Sequence, residues 1–159
     1  MFLKTINNIL EKVLYWFTAV TAFLFFFMVI AGVGSRYIFL TPIAWSIEIS
    51  RLLFIWSCFL AAALTYRKKA HIAIGLLTEK LPKQLQYYLG LFRQTSIIMF
   101  MVLIFFAALE TVTTLWFSAL PVLRISQGWL YIPVLVASAS IALFSIEDLL
   151  QTFKKPEPI

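Results

Sequence analysis

Residues 13–35 carry no charged side chain, and Lys12 and Arg36 bracket them. As an α-helix rising about 1.5 Å per residue, this run exceeds the roughly 30 Å hydrocarbon core of a bilayer. It is longer than the apolar region of a signal peptide and lacks a clean small-x-small cleavage site, so a retained span is expected. Composition agrees: 62% of the 159 residues are hydrophobic and 13% are charged, where a soluble domain carries about 25%. The length suits one domain, and the apolar fraction predicts that it is built in lipid.

Three more charge-poor stretches follow. Pro42 precedes a second helix predicted over 44–66, which carries Glu48 and Arg51 in its first turns. A third span is expected over about 85–117 and a fourth over about 125–146, the last bounded by Arg124 and by Glu147 and Asp148. The expected fold class is therefore an all-α integral membrane protein with four transmembrane helices, forming one domain over 13–153. The tail 154–159 contains two prolines and is expected to fray.

Charge distribution predicts the orientation. Lys4, Lys12, Arg67, Lys68, Lys69, Lys80, Lys83, Arg93, Lys154 and Lys155 fall on one side of the expected spans, against Arg36, Arg51 and Arg124 on the other. Basic residues gather in cytoplasmic loops, which places both termini and the central loop inside. The net charge of +6 is accounted for in this way. No basic run interleaved with exposed aromatics lies outside the spans, and a nucleic-acid partner is set aside.

Two segments look amphipathic. Over 1–12 and into span one, Phe2, Leu3, Ile6, Ile9, Leu10 and Val13 recur at helical spacing with Lys4, Asn7, Asn8, Glu11 and Lys12 opposite. That pattern predicts an interfacial helix in the headgroup plane, or else a cytoplasmic extension of span one. Residues 72–80 of the central loop show a second such pattern, ended by Leu81-Pro82.

The residue inventory excludes several chemistries. Cys58 is the only cysteine and His71 the only histidine, so neither a dithiol relay nor a bis-histidine haem site can be assembled. Cys58 is expected to be a small buried hydrophobe, and His71, beside Arg67, Lys68 and Lys69, to pin a loop by a hydrogen bond. No catalytic, cofactor or metal site is predicted. No ionisable residue sits at the centre of a span either, although a transporter core needs polar groups or unwound backbone at that depth. Small multidrug exporters, similar in size, carry a carboxylate in their first span; this chain has none there. Ser138 and Ser140 lie among alanines, which suits close helix packing.

Charge enters the membrane region near one interface, through Arg36, Glu48, Arg51, Glu110 and Arg124. Trp45, Glu48 and Arg51 are spaced i, i+3, i+6 and lie broadly on one helix face. Glu48 is placed to pair with Arg51 or, across the turn, with Arg36. These charges either anchor helix ends at the headgroups or fix the helix hairpin and face a partner. Trp45, Trp56, Trp116 and Trp129 suit an interfacial belt or packing.

At these residues the chain resembles the small membrane subunit (DctQ-like, Q subunit) of tripartite ATP-independent periplasmic (TRAP) transporters. The resemblance rests on Arg36-Tyr37-x-Phe39-x-x-Pro42-x-x-Trp45-x-x-Glu48-x-x-Arg51, followed by Leu53-Phe54-x-Trp56 and Phe59-Leu60. It continues through Arg67-x-x-x-His71-Ile72, Leu81-Pro82, Gly128-Trp129-x-Tyr131 and Pro133-Val134. The chain departs from the family where Ile47-Glu48 replaces two adjacent acids and where Gly75 replaces an acid. The resemblance implies a large membrane subunit that holds the sodium and substrate sites and moves as an elevator. It also implies a periplasmic binding protein that delivers a carboxylate solute, such as a C4-dicarboxylate, a sialic acid or another sugar acid. The small subunit would be a scaffold in the bacterial inner membrane, contacting the large subunit and membrane lipids. From the residues alone, an autonomous four-helix transporter or channel is the alternative.

Overall fold

The computed structural model describes residues 2–41, 43–68 and 83–154. Pro42, His71 and the predicted amphipathic segment 72–80 lie outside the described residues. Four long helices dominate: α1 (Phe2–Tyr37), α2 (Ala44–Arg67), α3 (Lys83–Leu115) and α4 (Ile132–Lys154). Each contains a stretch long and apolar enough to cross a membrane. Among the described residues no strand forms beyond an isolated bridge between Ala119 and Ser126.

The expected boundary at residue 12 is absent, because α1 runs unbroken from Phe2. At about 1.5 Å per residue it is much longer than the roughly 30 Å hydrocarbon core. Its buried stripe also differs from the predicted one. Asn7 and Leu14 are buried and Leu10 packs against the core, whereas Ile6, Ile9 and Val13 point outward. Asn7 lies on the inward face because α4 supplies acceptors for its amide, as described below.

Span four is the other departure. Residues 116–131, expected in part to be helical, form a compact loop. Leu120 and Ile125 are bridged by a backbone hydrogen bond of 2.8 Å, and Gln127 N–H donates to the Ser118 carbonyl at 2.8 Å. A short 3-10 helix (Gln127–Leu130) follows, with the Ser126 hydroxyl accepting from Gly128 N–H at 3.1 Å. Only then does α4 begin, with Pro133 in its first turn, where the missing N–H has no helical partner to lose. α4 then continues through Glu147 and Asp148 instead of stopping before them.

The helices are arranged as a row. α1 packs on α2, α2 on α4 and α4 on α3, while α1 reaches α4 only slightly and makes no comparable contact with α3. α4 is the most buried span, and its small residues explain this. Ala137, Ser138 and Ser140 are buried, and the two serine hydroxyls are satisfied by Leu135 and Val136 carbonyls on their own helix. Small side chains let neighbouring backbones approach closely in a membrane. Leu14, Leu60, Ala63, Leu64, Ala137, Ile141 and Phe144 form the core where α1, α2 and α4 meet. Cys58, expected inside, is exposed. Its neighbour Ser57 takes the buried position, because the inward stripe of α2 runs through Ser57, Leu60 and Leu64.

Candidate functional site

The charged side chains gather toward the two ends of the helices. At the loop end, Glu48 reaches from the second turn of α2 to the α3–α4 loop. One carboxylate oxygen accepts from Val122 N–H at 3.0 Å and the other from Leu123 N–H at 2.8 Å. The predicted pairing with Arg36 or Arg51 is thus replaced by backbone capping. A loop tip carries amides with no partner of their own, and a carboxylate satisfies two at once through strong charge-assisted bonds.

One turn-pair further along α2, Trp56 Nε1–H donates to the Trp129 carbonyl at 3.1 Å. Its ring packs against Phe17 of α1, with centroids 5.4 Å apart. Gly128 is buried beside Trp116: a Cβ there would come 3.0 Å from the indole, 3.2 Å from Ser126 Oγ and 3.4 Å from the Val112 carbonyl. The close approach, not backbone conformation, favours glycine here. Pro133 is fully buried.

Arg36, Tyr37, Trp45 and Arg51 are not drawn into this assembly. All four are exposed. Arg36 and Tyr37 border an open hollow of about 380 Å³ between the ends of α1 and α2. Leu40, in the adjoining turn, holds φ at 54°, a left-handed conformation that costs a side-chain-bearing residue about 1 kcal/mol.

The opposite end contains a cluster that the sequence did not disclose. Arg67 Nη1 lies 2.8 Å from Glu147 Oε2, and its Nε lies 3.3 Å from Glu11 Oε2. Nη2 donates to Asn8 Oδ1 at 3.2 Å, and the guanidinium sits 5.2 Å above the Phe144 ring centre. Asn7 Nδ2 donates to the same Glu147 oxygen at 2.7 Å. Asn7 and Glu147 are both buried. One guanidinium therefore ties α1 and α4 to the end of α2. The periodicity of α4 held a signal for this: Glu147 follows Ala137, Ser140 and Phe144 along one helix face.

The described residues hold no group of histidine, cysteine and carboxylate side chains suited to a metal ion. The hollow beside Arg36 is open to the surface, and its wall is mostly apolar. The polar groups satisfy helix ends and a loop, so their chemistry is that of structural fastening.

This architecture defines a multi-pass membrane protein. Residues 25–155 match the family described as tripartite ATP-independent periplasmic transporters, DctQ component. The chain belongs to that family and is a TRAP transporter small permease subunit. It is 23% identical, over 94% of its length and 91% of the relative's, to a Haemophilus influenzae protein provisionally named a TRAP transporter small permease protein. It is 24% identical to the sialic acid TRAP transporter small permease protein SiaQ of Vibrio cholerae, over 77% of this chain and 70% of that one. It is 27% identical to the sialic acid TRAP transporter permease protein SiaT of Haemophilus influenzae over 81% of its own length, and spans only 20% of SiaT.

Proposed function

We propose that this chain is the accessory scaffold of a sodium-coupled symporter that imports a carboxylate-bearing solute across the bacterial inner membrane. In this reading both termini face the cytoplasm. A large membrane subunit carries sodium and solute, a periplasmic binding protein delivers the solute, and the row of helices braces the moving partner. Sialic acid is the favoured solute, since two of the similar proteins carry it in their names.

The observation that carries the reading is the open row. With α1 and α3 at opposite ends and little contact between them, the described helices wall off no interior, and their ionisable groups lie toward the helix ends. A solute path needs polar groups at mid-depth, which this chain would have to borrow from a neighbour. The similarity to one fifth of the longer SiaT chain supports a partner several times larger.

The test is uptake of radiolabelled sialic acid into proteoliposomes under a sodium gradient, with and without the large subunit and binding protein. Uptake should need all components. Uptake by this chain alone would replace the scaffold with an autonomous transporter. Reporter fusions at each terminus test the orientation, and an external C-terminus would overturn that part.

A further inference from the structure

A second hollow, of about 310 Å³, lies between α1 and α2 on the half of the row near Arg67. That volume is at the lower end of the roughly 300–1,000 Å³ usual for small-molecule sites. Its wall is formed by Thr18, Ala19, Ala22, Ala61, Leu64 and Thr65. The two threonine hydroxyls each donate to a carbonyl one turn back, Leu14 and Ala61, at 2.7 and 2.8 Å. The wall therefore offers no free donor, and an occupant at that depth must be apolar.

The mouth is different. Lys68, at the end of α2, is exposed, and its ammonium lies 5.5 Å from the centre of the Tyr15 ring. Among the described residues both ion pairs belong to Arg67, and Lys68 takes part in neither. The hollow thus couples an apolar trough within a membrane span to an exposed cation at the interface. That is the charge and polarity pattern of an anionic amphiphile.

We infer that this hollow binds one anionic phospholipid, its acyl chain against Ala19, Ala22 and Ala61 and its phosphate at Lys68. The inference rests on the inward orientation proposed above, which sets Lys68 at the cytoplasmic interface, where a basic side chain attracts anionic headgroups. A lipid held there fills the seam between the two helices that the core leaves open. It also gives the row a fixed annular contact at the end where Arg67 fastens it.

Native mass spectrometry of the full chain, alone and within the assembled transporter, tests this with phosphatidylglycerol and phosphatidylcholine as probes. One interfacial cation should favour phosphatidylglycerol by about fivefold. Lys68→Gln should abolish that preference while retaining weak binding of both lipids. Ala61→Phe, and independently Ala22→Leu, should reduce binding of both by filling the trough. Equal binding of the two lipids by the unaltered chain would overturn the inference, as would a preference that survives Lys68→Gln. Binding to the isolated chain that vanishes in the assembled transporter would also overturn it, by placing a protein partner in the hollow. Lipid binding is read without uptake, so a failure here leaves the scaffold reading standing. A failure of sodium-driven uptake likewise leaves the lipid result intact.

Discussion

Arg67 and Glu147 meet at 2.8 Å with almost no access to solvent, their side chains being 15% and 5% exposed. The pair joins the last turn of α2 to the penultimate turn of α4, and Glu11 and Asn7 bring α1 to the same point. Removing one member of a buried pair leaves the other charge uncompensated, at a cost of roughly 3–5 kcal/mol. Arg67→Met or Glu147→Gln is therefore expected to lower the thermal unfolding midpoint of the purified subunit by several degrees. The double variant Arg67→Met/Glu147→Met should recover part of that loss, because neither charge of the buried pair remains and only the more exposed Glu11 loses its partner. A double variant as unstable as the two losses added together would show that the pair is not coupled.

Glu48 is expected to act as a loop clamp. Glu48→Ala leaves the amides of Val122 and Leu123 without their acceptor, at a cost of about 2 kcal/mol for charge-assisted bonds. Hydrogen exchange at these two amides should accelerate by more than tenfold, and by less in Glu48→Gln, which keeps one carbonyl oxygen. In the transporter, Glu48→Gln should lower uptake without altering solute preference. A changed preference would move Glu48 to the solute route and count against the scaffold.

Gly128→Ala should destabilise the α3–α4 loop by about 1–3 kcal/mol, the usual cost of overpacking. The new methyl meets the rigid Trp116 indole at 3.0 Å. Combining it with Trp116→Leu should soften the effect, as measured by thermal unfolding. Equal penalties with and without the indole would move the cause elsewhere.

Trp56→Phe keeps most of the apolar contact with Phe17 but removes the N–H that reaches the Trp129 carbonyl. The expected cost is about 1 kcal/mol. Protease sensitivity of the 116–131 loop should rise along with it. An unchanged digestion pattern would mean that the loop is held without this bond.

Hydrophobic run length was enough to locate four spans, because the cost of placing charge and bare backbone in hydrocarbon dominates every local preference. The motif around Arg36, Trp45, Glu48 and Arg51 was likewise sufficient to point to the family. Partner choice was not legible. Glu48 has two cations within reach by sequence spacing, yet its acceptors go to loop amides more than seventy residues away, because those amides would otherwise lack partners. Asn7 reads as the polar face of an amphipathic helix until α4 offers it Glu147 and the Leu143 carbonyl. Glu147 reads as a helix boundary until Arg67 arrives from α2. Periodicity reports how a helix divides polar from apolar. Only the packing of distant helices decides which polar groups are close enough to satisfy one another, and so which charges can be buried.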